Sequence, residues 1–385
     1  MLKCLKTLLL RSGLVAACLL QFSCAIPADA ASNASAASSA APPARAASAP
    51  PPPRRAWAGD IARSVGRLTA RDIGLVINTT DPYSLQVGEY YIKARHLAPA
   101  QVLRVSLPVN ATLTIREFES LSDQIQAYFG PHTQALALAW TRPYAVECNS
   151  LTGALAMGFK GQLCQSTCDA SQVSPYFNAP STRPYTDLHI RPSMLLAARD
   201  VPSAIAMIDR GVKSDGSLGL RGGLPVNAHF VTTSDSVRSI RQVLFPPPTR
   251  FRDIGVDVHL DQTDALQNEQ RVLLYMTGAV KVAKLQTVHF VPGALADHLT
   301  SFGGSLDYPN GQMTALSWID AGATASYGTV SEPCAHWQKF PHPQLLLVNY
   351  LQGATALEAY WRSVAWPQQG LFIGEPLAAP FSHMP

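Results

Sequence analysis

The chain carries little charge and no marked excess of one sign. Charged residues make up 15% of its 385 positions, with 30 Lys and Arg against 26 Asp and Glu. The formal +4 falls to about +2 once residues 1–30, with Lys3, Lys6, Arg11 and Asp29, are set aside. No stripe of Lys or Arg interleaves with aromatics, so the field that draws phosphate backbones is missing and nucleic acid is not an expected partner. Beyond the first thirty residues no apolar run approaches the roughly eighteen residues of a membrane-spanning helix, so no transmembrane segment is expected in the mature chain. No internal repeat is visible. The glycine-rich "GLRGGLP" (219–225) lacks the Lys-Ser/Thr ending of a phosphate loop and reads as a flexible connection.

What is present begins with a leader. Lys3, Lys6 and Arg11 precede a short apolar run, "GLVAACLLQF" (13–22), and "PADA" (27–30) places small residues at Ala28 and Ala30. That order is the pattern of a cleaved export signal over residues 1–30, and it predicts a periplasmic or extracellular protein. A lipoprotein anchored through Cys24 or Cys18 is the competing reading. Residues 31–56 are Ala, Ser and Pro with no large apolar side chain, so they predict a disordered linker. Residues 57–385 are then expected to form a single domain.

Four cysteines remain after the leader: Cys148, Cys164, Cys168 and Cys334. In an oxidising compartment an even count predicts two disulfides, Cys148 with Cys164 or Cys168 and the other with Cys334. Zinc held by these thiols and His336 is the alternative. Their spacing lacks the close Cys-x-x-Cys knuckles of structural zinc sites, so no cofactor and no metal is expected.

From residue 72 apolar runs alternate with helical periodicity. "DIGLVINTT" (72–80), "QVLRVSLP" (101–108) and "QALALAW" (134–140) read as strands. Between them, 84–97 and 114–130 read as helices, the first capped by Ser84 and the second stopped by Gly130. Residues 141–193 hold three of the cysteines and little periodicity, and read as an inserted lobe over one sheet edge. The alternation then resumes, with strands expected at 193–199, 228–233, 271–278, 293–302, 323–330 and 370–376. Helices are expected at 202–213, 236–245 and 314–322 and in "PQLLLVNYLQG" and "TALEAYWRSV". Strand–helix alternation of this kind predicts an α/β three-layer sandwich around a mostly parallel sheet.

The stretch "VINTTDPYSLQVGEYYIKARHLAPAQVL" (76–103) carries Asn78, Asp81, Pro82, Ser84, the pair Tyr90–Tyr91 and Arg95. With "FVPGALADHLTSF", "AGATASYGTVSEP" and "GEPLAAPF" further on, it resembles an uncharacterised secreted bacterial family associated with exosortase-type sorting. The resemblance covers about residues 72–381 and implies an envelope setting, with an envelope protein or polysaccharide as partner. The last third also resembles gingipain- and caspase-like cysteine peptidases, through "YMTGAV" (275–280), "TSFGG" (300–304) and "GEP" (374–376). That likeness implies a caspase-like fold. It sets Ala279 where the class has its histidine and Phe302 where it has its cysteine, so it implies a scaffold without the peptidase dyad and a binding or assembly role.

A rebuilt hydrolase is the other functional reading. His298 and Ser301 form a nucleophile–base combination if their side chains meet, with Asp81, Asp297, Asp307 or Glu332 as the orienting carboxylate. A regular strand would point residues three apart to opposite faces, leaving His298 in the packing and Ser301 in a turn. Asn78, Asp81 and Ser84 follow the first strand, where a parallel sheet binds ligands, and equally suit a turn and a helix cap. Cys334 and His336 in "SEPCAHW" pose the same choice between a Cys–His pair and a disulfide.

Overall fold

A short, wholly buried run starts the sheet. Ile73–Asn78 (β1) is apolar on both faces, as a strand sandwiched between helices must be. The computed structural model describes residues 61, 66–307 and 311–382, and these belong to one compact unit. The expected signal, the linker and the candidate lipid-bearing cysteines lie outside the described residues.

Along the chain, β1 leads through α1 (Pro82–Arg95) to β2 (Val102–Val105) and a short β3 (Thr112–Leu113). Helix α2 (Ile115–Tyr128) then returns to β4 (Ala135–Leu138). The cysteine-bearing insertion holds β5 (Ala145–Val146), β6 (Asn149–Ser150), α3 (Leu151–Met157), α4 (Gln162–Gln165) and α5 (Pro184–Leu188). It is followed by β7 (Ser193–Leu195), α6 (Val201–Ser214), β8 (Val226–Thr232), β9 (Thr249–Phe251), β10 (Val256–Gln262), β11 (Val272–Gly278) and β12 (Phe290–Leu299). Helix α7 (Leu316–Asp320), β13 (Ala325–Thr329), α8 (Pro343–Leu351), α9 (Ala356–Ser363) and β14 (Gly370–Gly374) complete it.

Eleven strands form one sheet in the order β2-β1-β4-β7-β14-β13-β12-β11-β8-β10-β9. Pairing is parallel except between β13 and β14 and between β9 and β10. The last strand therefore sits near the middle, parallel to β7 and antiparallel to β13. Helices cover both faces. Gly88 of α1 lies against Ile77 of β1, while Phe129, at the end of α2, lies against Gly74, whose position faces the other way. The α/β architecture with a mostly parallel sheet is thus as the sequence predicts.

Local sequence explains the helices. Thr114 and Glu117 close a capping box on α2, which buries Phe118, Leu121 and Ile125. Asp200 caps α6, whose buried Ala204, Met207, Ile208 and Gly211 recur at helical spacing. Four expectations need correction. Asp81, not Ser84, caps α1: its Oδ1 accepts from the Tyr83 amide at 3.0 Å. Residues 238–244 form a 3-10 helix rather than an α-helix, tight enough to seat Ser239 on Thr233 before the prolines. Strands β9 and β10 occupy a stretch with no expected element, where Val256 and Val258 alternate with polar residues. The insertion does not cover a sheet edge. Its helix α3 packs on the central strands β7 and β14, with Ser150 Oγ donating to Gly370 O at 2.6 Å.

The cysteines pair as Cys148–Cys164 and Cys168–Cys334. All four sulfurs are engaged in these bonds, which leaves none for a zinc site or a Cys334–His336 dyad. The first closes a local loop within the insertion; the second ties the insertion to the segment after β13.

One charged cluster joins distant parts of the chain. Arg95 Nε donates to Glu375 Oε1 at 2.9 Å and Nη2 to Oε2 at 2.6 Å, and Tyr91 Oη donates to Oε1 at 2.9 Å. Arg95 Nη1 reaches Asp215, just beyond α6, at 2.5 Å. Glu375 is fully buried and Arg95 8% exposed, so neither charge has water to fall back on. Arg95→Met or Glu375→Gln is expected to cost about 3–5 kcal/mol by leaving one buried partner uncompensated. The Arg95→Met/Glu375→Gln double variant should lose less than the sum of the two singles, as read by urea unfolding. For the disulfides, loop closure over 166 and 16 residues gives about 5 and 3 kcal/mol of unfolded-state constraint. Thermal unfolding should therefore fall further for Cys168→Ser/Cys334→Ser than for Cys148→Ser/Cys164→Ser.

Candidate functional site

Strands β2, β1, β4, β7 and β14 run the same way and deliver their carboxyl ends to one edge of the sheet; β13, β12, β11, β8 and β10 run the opposite way and end at the other edge. The chain steps from β1 out to β2 and then back past β1 to β4 and β7, so the order reverses at β1. Loops diverge at such a reversal and leave a crevice. A cleft of about 270 Å³ lies there. Asp81 and Tyr83 come from the loop and helix after β1, Thr141 and Arg142 from the end of β4, Arg199 from the end of β7, and Asp307 from the turn after β12.

Each wall is fixed by its own bonds. Tyr83 Oη donates to Leu196 O at 2.8 Å and accepts from the Ala198 amide at 2.9 Å, which ties α1 to the end of β7. Burial pushes its phenol far up. Tyr144 Oη donates to Asp307 Oδ1 at 2.6 Å, and Arg142 Nη1 reaches Asp307 Oδ2 at 3.3 Å. Burial first, and then Asp307, pushes the Tyr144 phenol up to about 12. Arg199 pairs with Asp320 of α7 while remaining 69% exposed. The cleft thus presents exposed guanidinium groups beside carboxylates, all on short loops anchored to rigid strands.

The ligand-binding candidates divide. Asp81 lines the cleft while capping α1. Asn78 is fully buried: its Nδ2 donates to Leu107 O at 3.1 Å and its Oδ1 accepts from the Leu107 amide at 3.0 Å. Ser84 Oγ accepts from the Asn78 amide at 2.8 Å. These two residues lock the loop that carries Asp81; they do not line the cleft.

The catalytic candidates are not gathered. His298 is 1% exposed on β12, with Nε2 donating to Met313 O at 3.0 Å and Nδ1 accepting from Trp318 Nε1 at 3.0 Å. These two partners fix a neutral Nε2–H ring and occupy both nitrogens. Ser301 lies in the turn beyond the strand, where its carbonyl accepts from Thr329 Oγ1 at 3.0 Å, and it is not a partner of His298. The neighbouring carboxylates are engaged elsewhere. Asp297 points to the opposite face and meets Arg241 Nη2 at 2.6 Å, and Glu332 Oε1 accepts from the Cys334 amide at 2.8 Å. Asp307 faces Tyr144 and Arg142.

The residues that the sequence reading missed are Tyr83, Thr141, Arg142 and Arg199. Their signal is positional. Arg142 and Arg199 each follow an apolar strand within a few residues, and neighbouring parallel strands bring those endings together. Compared with known protein families, with curated proteins and with solved structures, the chain matches none.

Burial pushes the His298 imidazole down from 6.5 to about 3, more than its bond to Met313 raises it. Above pH 6.5 the ring is neutral whether the chain is folded or unfolded, so its contribution to stability is fully present. As the pH falls from 6.5 towards 3 the unfolded chain takes up a proton that the folded ring refuses, and stability drops. The loss is on the order of 4 kcal/mol over three pH units. Urea unfolding of His298→Gln across the same range should show a shallower acid slope than the parent protein; parallel slopes would refute the buried neutral ring.

Proposed function

We propose that this chain is an exported protein of the bacterial cell envelope that works by binding, as a non-catalytic binding or assembly factor on a caspase- or gingipain-like scaffold. The reading is carried by one observation: the imidazole nearest the expected nucleophile position spends both ring nitrogens on Met313 and Trp318. A hydrolase built on His298 and Ser301 would need one of those nitrogens for the serine. Ala279 and Phe302, which follow β11 and β12, supply neither a nucleophile nor a base. The resemblance to a secreted, exosortase-associated family supports the envelope setting. Two disulfides and the lack of a helix long and apolar enough to cross a membrane, among the described residues, are compatible with it.

The carboxyl-edge cleft is the binding site in this reading. Its guanidinium and carboxylate groups offer fixed donors beside fixed acceptors, a combination suited to a chain of hydroxyl groups, so an envelope polysaccharide is the favoured partner over a protein. Affinity electrophoresis of the mature chain through gels containing envelope polysaccharide should show retardation. Arg142→Ala/Arg199→Ala should reduce it about tenfold or more. A fluorophosphonate probe should leave the protein unlabelled. Labelling at Ser301 that is lost in both Ser301→Ala and His298→Ala would overturn the binding reading.

A further inference from the structure

Four arginines are buried among the described residues: Arg95, Arg191, Arg241 and Arg362. Three meet a carboxylate, Arg95 at Glu375, Arg241 at Asp297 and Arg362 at Glu358. Arg191, 5% exposed, meets none among the described residues. Its Nε donates to Thr133 O at 2.9 Å, its Nη2 donates to Phe129 O and Gly130 O at 3.2 Å, and its guanidinium lies 3.7 Å from the Tyr185 ring centroid. Carbonyls at the end of α2 favour a cation there, yet they leave its unit charge without a counter-charge. Buried charges in proteins are normally paired.

Arg191 also lines a cavity of about 360 Å³ between α2, α3 and the segment that enters β7. The other walls include Phe118, Ile125 and Leu155, with Ser122 and Gln126 at the polar side. Nε and Nη2 are spent on main-chain oxygens and the Tyr185 side chain also hydrogen-bonds the guanidinium, so Nη1 is the one nitrogen without a main-chain partner. A cation without a carboxylate partner, beside a space of this size whose walls combine polar groups with apolar side chains, defines what would complete it.

We propose that this cavity is a binding site for a small organic carboxylate, its carboxylate on Arg191 and its apolar body against Phe118, Ile125 and Leu155. The site lies over the start of β4 and is independent of the carboxyl-edge cleft. The class it selects is a monoanion with a compact hydrocarbon or aromatic body; a bare inorganic anion would leave the apolar walls wet, and a neutral analogue would leave the arginine unpaired.

Titration calorimetry of the full mature chain with benzoate tests this, with benzyl alcohol as the neutral body and chloride as the bare charge. Saturable benzoate binding is expected, with benzyl alcohol and chloride at least tenfold weaker. Arg191→Gln should abolish it. Because Arg191 also holds the end of α2, Ser122→Phe provides the second variant. It keeps the arginine and its carbonyl bonds, fills the cavity, and should weaken benzoate at least tenfold. Absence of saturable benzoate binding, equal binding of benzyl alcohol, or undiminished binding in a folded Ser122→Phe protein would each overturn the assignment.

Discussion

The buried pair of Arg95 and Glu375 sets the geometry on which the rest of the molecule depends. It joins the first helix to the residue just past the last strand, across 280 positions of sequence. Each side chain needs the other, because a lone charge at either site would be out of water with nothing to balance it. The geometry around the pair is equally demanding. Gly211 of α6 packs directly on the Glu375 side chain, where any Cβ would collide, and Asp215 and Tyr91 take up the remaining donor and acceptor positions. Fixing α1 in this way also fixes its opposite end, where Asp81 caps the helix and lines the cleft. The positioning of the site is thus tied to a contact at the other end of the same helix.

Much of the fold was legible in the sequence, because strand–helix alternation leaves a strong imprint where strands are buried on both faces. The runs that became β1, β4 and β11 are apolar at nearly every position, and β13 is buried throughout although it carries Ser326 and Thr329. Strands β9 and β10 were not legible, since one is three residues long and the other exposes polar side chains on one face. The two-disulfide count was readable, whereas the choice between Cys164 and Cys168 as the partner of Cys148 required the folded chain. The motif residues Tyr91, Arg95 and Glu375 were visible as separate words; only tertiary structure brings them to one point.

The candidate site was less legible, and for a general reason. His298, Asp297, Asn78 and Ser84 belong to residue types that chemistry uses, but the same hydrogen-bonding capacity also satisfies buried polar groups and closes turns. Sequence spacing cannot separate those uses. On β12 the two adjacent residues face opposite sides of the sheet, and each is neutralised differently: Asp297 by an arginine, His298 by keeping its ring uncharged. Apart from Asp81 and its neighbour Tyr83, the cleft residues carry no motif. Arg142 and Arg199 come together because their strands are neighbours in space.

The central position of β14 bears on how the chain can be assembled. Strands β2, β1, β4 and β7 form one block and β13, β12, β11, β8, β10 and β9 another, and in the finished sheet they touch only through five residues near the carboxyl terminus. Until that segment arrives, β7 and β13 each present an open edge, the kind of surface that pairs with strands of other molecules. A chain emerging amino end first therefore completes its two half-sheets before the piece that welds them. Loss of the final sixteen residues would remove the keystone of the sheet and expose two templates for aggregation at once.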